Sequence, residues 1–140
     1  MQIKISTVFV DDQEKALAFY TGKLGFRKMA DIAMGPYRWL TVVAPEGAHG
    51  VELQLESLVG FDAARVFQKS LYESGRPCTA FVTEDVEAEA RQLRERGVVV
   101  HGAPVDMGPI RAVMFDDGCG NLIHLVQPLV RPESGNAIRT

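Results

Sequence analysis

Residues 34–38 read MGPYR and residues 107–111 read MGPIR, so a chain of 140 residues repeats itself 73 positions apart. Such a repeat limits the fold more than composition does, because each copy of a module has an apolar face that it must bury against another element. The neighbourhoods of the two copies decide whether the repeat extends beyond five residues.

They agree along most of the chain. IKISTVFV is short and β-branched, as a strand is, and Asp11 or Asp12 supplies a helix cap for DQEKALAFYTGKLG. In that segment Ala16, Leu17, Tyr20 and Leu24 share one helical face, and Gly25 is a stop signal. FRKMADIAM, YRWLTVVAP and VELQLES follow as three strand-like runs. From residue 78, CTAFVTE, an Asp85-capped helix VEAEARQLRERG closed by Gly97, and the runs VVVHGAPV, IRAVMFDD and NLIHLVQP repeat the same β-α-β-β-β order. Asp12 and Asp85, like Pro36 and Pro109, are 73 apart, while Gly25 and Gly97, like Glu52 and His124, are 72 apart. Met-Gly-Pro itself reads as hairpin chemistry needed once in each half. GFDAARVFQKSLYESG between the halves reads as a helix capped by Asp62 and ended by Gly75.

The length suits a single domain, and 46% hydrophobic with 24% charged residues is an ordinary globular composition. A net charge of −3 without a basic run argues against nucleic acid as a partner. The absence of an apolar stretch of about 20 residues argues against a membrane span, and the N-terminus lacks a signal-peptide pattern, so a cytoplasmic location is expected. Cys78 and Cys119, far apart and without CxxC spacing, are expected to be reduced.

Two such modules, with FVDDQEKALAFYTGKLGF opening the first and FDDGCGNLIHLVQP closing the second, resemble the glyoxalase/bleomycin resistance protein/extradiol dioxygenase superfamily, also called vicinal oxygen chelate proteins. The resemblance covers about residues 2–128. It departs at DGCGN, where Gly118 stands in place of the family's usual Pro. It implies an α+β fold of two tandem βαβββ modules whose mixed sheets curl into a cup, with helices on the outer faces. The expected organisation is module 1 over about 1–57, a helical linker over about 58–76, module 2 over about 77–128, and a loosely packed tail over 129–140.

Metal-dependent members hold a divalent cation with four side chains, and the resemblance carries those places onto Ile5, Glu52, Cys78 and His124. Ile5 has no lone pair, which leaves Glu52, His124 and Cys78 as candidates for zinc, nickel, manganese or iron. Cys78 is more readily read as a small core hydrophobe, and His124 as a hydrogen-bonded strand residue. Glu52 and His124 are also candidates for metal-free proton transfer, with Glu52 as base and His124 as its partner. Tyr37, Arg38, Trp39, Gln54 and Arg111 are candidate ligand-binding residues; Arg38 and Arg111 would clamp an anion if both faced inward and would be solvated edge charges if outward. VELQLE alternates apolar Val51, Leu53 and Leu55 with polar Glu52, Gln54 and Glu56, a pattern that a cup-facing strand and a solvent-facing one share.

The leading expectation is a protein that binds a small planar or anionic metabolite or drug-like molecule without a complete metal site. The alternatives are a metal-dependent glyoxalase-type lyase or isomerase, less readily a dioxygenase, and an interaction protein with a vestigial cup. A homodimer is expected, because sheet edges need cover.

Overall fold

The computed structural model describes residues 1–129, so most of the tail lies outside the described residues. The element order is β1 (Ile5–Val10), α1 (Gln13–Gly22), β2 (Arg27–Met34), β3 (Tyr37–Val43), β4 (Glu52–Ser57), α2 (Asp62–Glu73), β5 (Thr79–Val82), α3 (Val86–Glu95), β6 (Val100–Met107), β7 (Ile110–Asp116) and β8 (Leu122–Pro128). Two four-stranded mixed sheets result, ordered β1-β4-β3-β2 and β5-β8-β7-β6, with β1–β4 and β5–β8 parallel and the other pairs antiparallel. The β-α-β-β-β order of both halves is as the sequence implies.

Local chemistry sets the element ends. Asp12 and Asp85 each accept a hydrogen bond from the backbone N–H three residues on, at 3.0 Å, capping α1 and α3. The Met-Gly-Pro repeats are two-residue hairpin turns. Met34 faces Tyr37 and Met107 faces Ile110, and Gly35 and Gly108 supply the positive φ, +68° and +63°, that the first central turn position requires. The linker helix differs from expectation. Phe61, not Asp62, occupies the cap position and makes no side-chain cap bond, while Asp62 sits in the first turn, where its negative charge is stabilised by the positive end of the helix dipole. In β6 the register shifts between His101 and Val105, which takes up Gly102 and Pro104 within the strand.

Each sheet buries one face against its own helix. Val8, Val10, Leu40, Val42 and Leu55 pack with Ala16 and Tyr20 of α1; Val113, Phe115, Ile123 and Leu125 pack with Val86, Ala90 and Leu93 of α3. Phe19, Leu24 and Phe81 touch both clusters and join them into one core. The Phe81 ring lies 5.6 Å from Phe26, 6.5 Å from Tyr20 and 6.4 Å from Phe115. Lys23 Nζ donates to the Arg96 carbonyl at 2.5 Å and Arg96 Nη1 to the Lys23 carbonyl at 2.9 Å, a reciprocal pair across the pseudo-two-fold relating the modules.

One polar lock secures this seam. The turn 117–121 carries Asp117, fully buried, whose carboxylate accepts from Tyr20 Oη (2.8 Å), the N–H groups of Cys119 (2.8 Å) and Asn121 (3.1 Å), and Asn121 Nδ2 (2.8 Å). Asn121 Nδ2 also donates to the Phe9 carbonyl at 2.7 Å, and Gln68 of α2 donates to the Phe9 and Cys119 carbonyls at 2.8 and 3.2 Å. Burial raises the Asp117 carboxyl above its ordinary 3.8 although these bonds act to lower it. A raised folded value means that the contribution of this group to stability is full below 3.8 and is lost as pH rises through the folded value. Tyr20→Phe is expected to lower the unfolding free energy in urea by about 2 kcal/mol, the worth of a hydrogen bond to a charged group. It should also move the Asp117 carboxyl titration, followed by carbon-13 NMR, to higher pH; a variant as stable as the parent with an unmoved titration would contradict the lock.

Candidate ligand-binding site

The helix side of each sheet is occupied, so a site formed by the sheets lies on their opposite, concave faces. Strand pleating assigns Ile5, Thr7 and Phe9 of β1, Glu52, Gln54 and Glu56 of β4, Tyr37, Trp39 and Thr41 of β3, and Ile32 and Met34 of β2 to that face in module 1. Two hydrogen bonds organise its floor: Thr41 Oγ1 donates to Glu52 Oε1 at 2.7 Å, and Thr7 Oγ1 to Gln54 Oε1 at 2.9 Å. Thr41 is fully buried and accepts in turn from the Ala30 N–H at 3.1 Å, so Glu52 is held by a backbone-anchored hydroxyl. In module 2 the same face carries Ala80 and Val82, Ala112 and Met114, Leu122, His124 and Val126, together with His101 opposite Met114 and Asp116 opposite Leu122, so it is apolar apart from two imidazoles and one carboxylate.

The register corrects the expected symmetry between the modules. Thr41 pairs with Gln54, and its repeat partner Met114 pairs with His124; Thr7 pairs with Gln54, and Ala80 with His124. His124 is therefore the counterpart of Gln54, and Glu52 that of Leu122. The connection 117–121 is three residues shorter than 44–51, which changes the offset from 73 to 70 at the last strand. The symmetric pairing of Glu52 with His124 does not hold. Among the described residues, no hydrogen bond joins these two side chains.

The four places carried over from metal-dependent proteins thus become Ile5, Gln54, Cys78 and His124, and they do not fit a divalent cation. Ile5 is not a donor, and the Gln54 carbonyl oxygen is already engaged by Thr7. The Cys78 thiol is pushed up to about 11, chiefly by burial of its sulfur and then by the Asp117 charge, so it is protonated at neutral pH although the residue as a whole is exposed. Among the described residues, no three His, Cys, Asp or Glu side chains gather closely enough to hold an ion.

Arg38 and Arg111 also depart from the anion-clamp expectation. Arg38 shares a pleat face with core residues Leu40 and Val42, and its guanidinium meets Glu14 of α1 at 2.7 Å and Asp31 at 3.2 Å. It lines a cleft of about 640 Å³ at the start of α1, with Asp11 and Asp12. Arg111 shares its face with Val113 and Phe115 and binds Asp106 at 2.6 Å. Glu14 and Glu87, like the two arginines, are 73 apart; the Arg111 pKa is raised chiefly by its hydrogen bond and charge contact with Asp106, and least by Glu87. Both arginines therefore serve the helix side.

A larger cavity, about 1200 Å³, opens mainly on the helix side at the β5 edge, with Ala80 and Val82 of the concave face also in its lining. It lies between the loop 44–51 and α3, with Phe26, Phe81 and Leu93 beneath and Glu46, Glu84 and Glu89 at its rim. On the other side of the pseudo-two-fold, the equivalent space is filled by Cys119 packing on Val8, Val10, Ala16 and Tyr20.

Sequence reading missed Thr7, Phe9 and Thr41 as cup residues. The alternation in STVFV and RWLTVV carries that signal once the helix-facing set Val8, Val10, Leu40 and Val42 is known.

The sequence profile of the Glyoxalase/Bleomycin resistance protein/Dioxygenase superfamily matches residues 2–125. The chain belongs to this superfamily. YurT of Bacillus subtilis (strain 168) is 44% identical over 127 residues, covering 91% of this chain and 99% of that protein. The crystal structure of UcmS2 matches with a TM-score of 0.77 at 29% identity, over 90% of this chain and 97% of that one. That of TnmS3, an antibiotic binding protein from Streptomyces sp. CB03234, matches with a TM-score of 0.69 at 35% identity, over 91% of this chain and 96% of that one. Divalent metals are common in the superfamily, which makes the donor set of this member testable. Incubation with zinc, nickel, manganese or ferrous iron followed by gel filtration and elemental analysis is expected to leave well under one equivalent per chain. One equivalent that His124→Ala abolishes would contradict the assignment.

Proposed function

We propose that this superfamily member binds a small planar, drug-like or metabolite molecule on the concave sheet face, without a metal. The observation that carries the reading is the combination of Trp39 and Tyr37 on one pleat face with the hydrogen-bonded floor of Thr7, Thr41, Glu52 and Gln54. An aromatic wall beside a few fixed polar groups suits a flat molecule that is held by stacking and oriented by hydrogen bonds. The similarity to an antibiotic binding protein supports the same class of ligand. The anionic option loses its support with both arginines on the helix side, and the proton-transfer pair loses its support with Glu52 and His124 in non-equivalent places.

A second copy of the chain completes the cup in this reading. Ile32, Met34, Val105 and Met107, two repeat-related pairs on the concave faces of the edge strands, are 58, 49, 56 and 50% exposed. Apolar edge residues of this kind favour a two-fold partner. No helix among the described residues is long and apolar enough to cross a membrane, and the site is proposed to meet its ligand in the cytoplasm.

Chelator-treated protein is expected to be a dimer by light scattering at micromolar concentration. A thermal-shift screen of planar antibiotics and aromatic metabolites should raise its melting temperature, and Trp39→Ala should remove that rise. Stabilisation that appears only after metal is added would overturn the reading. A monomer that still binds ligand would overturn the second copy alone.

A further inference from the structure

We propose that the cup selects planar ligands that carry a protonated amine. This inference rests on the cup reading above and adds the charge of the ligand to it.

The argument begins with where the cations of the chain are. Asp11 meets Lys15, Asp31 meets Lys28 and Arg38, Glu14 meets Arg38, Glu73 meets Lys69 and Asp106 meets Arg111, all away from the concave floor. Glu52 and Glu56 stand two residues apart on the concave face of β4, both half-buried, and among the described residues neither has a Lys or Arg partner. Glu52 receives one hydroxyl hydrogen bond, from Thr41, on Oε1. That bond fixes the carboxylate without neutralising it.

Across the strands assigned to the concave faces, one Lys or Arg falls at a concave register position. It is Arg27, opposite Val43 at the outer end of β2, and it is exposed. Module 2 adds apolar residues, His101, His124 and Asp116, whose carboxylate accepts from Tyr72 Oη and the Gly118 N–H. Among the described residues, the strands therefore place Glu52 and Glu56 without a cationic partner on the face that holds Trp39 and Tyr37, and they put no Lys or Arg there other than the outer Arg27.

A flat aromatic cation satisfies both features at once. Its ring stacks on Trp39, whose π face attracts positive charge, and its ammonium or amidinium N–H groups reach Glu52 or Glu56. A carboxylate on the same ring meets like charge in a site where partial exclusion of water strengthens the repulsion. The opposite selectivity would need Arg38 or Arg111 on this face, and both are engaged on the other.

The test holds shape constant and varies charge. Binding of 9-aminoacridine, acridine and acridine-9-carboxylate to chelator-treated protein is measured by calorimetry at pH 7.5 in low salt. The expected order is 9-aminoacridine tighter than acridine by about tenfold, with the carboxylate weaker still. Glu52→Gln and Glu56→Gln should shrink the ratio between 9-aminoacridine and acridine toward one, whereas Glu84→Gln, on the rim of the cavity beside α3, should leave that ratio unchanged. Circular dichroism melting confirms that each variant is folded.

Equal or reversed affinities, with binding retained, would overturn the charge selectivity and leave the cup reading standing. A ratio that collapses in Glu84→Gln and not in Glu52→Gln or Glu56→Gln would place the amine in the other cavity and also overturn the inference. Failure of all three planar probes to bind would count against the cup reading and the inference together.

Discussion

The buried Asp117 carboxylate is the interaction on which the arrangement of the two modules depends. It closes the turn 117–121 through Cys119 and Asn121 and reaches across to Tyr20 of the first module. A carboxylate taken out of water is costly unless its lone pairs are used, and four donors use them here. The lock, the reciprocal Lys23–Arg96 bonds and the Phe81 contacts join the modules on their helix sides. These contacts do not close the concave sheet faces, where Thr41, Ala112 and Leu122 are buried while Tyr37, Ile32 and Met34 are exposed.

That division of faces governs the chemistry of the site. Carboxylates and cations on the helix side neutralise one another, as at Arg38 with Glu14 and Asp31, whereas on the concave side Glu52 and Glu56 have no cationic partner among the described residues. The imidazole of His124 lies on an otherwise apolar strand face. Superfamily membership fixes the scaffold, and the side chains on the concave faces set what it holds. Among the described residues they form an aromatic and hydrogen-bonding surface on which no three His, Cys, Asp or Glu side chains gather to hold an ion.

Much of the scaffold is legible in the sequence because its signals are local. Asp12 and Asp85 cap helices through bonds three residues long, and Met-Gly-Pro makes the same hairpin twice. The site is less legible because it depends on non-local register. A difference of three residues between 44–51 and 117–121 moves the counterpart of His124 from Glu52 to Gln54, and no local pattern shows it. The direction of Arg38 and Arg111 is a matter of strand parity, which becomes definite once Leu40, Val42, Val113 and Phe115 are known to be core. Asp62 resembles a cap by residue type, yet the helix begins one residue earlier than that reading requires.

The central claim, that the concave face and not the cavity beside α3 is the binding surface, is tested most directly by a crystal structure of the protein with 9-aminoacridine bound. The account predicts density for the ring against Trp39 with its amine toward Glu52 or Glu56. Density confined to the cavity between the loop 44–51 and α3, with the concave face filled by solvent, would contradict it.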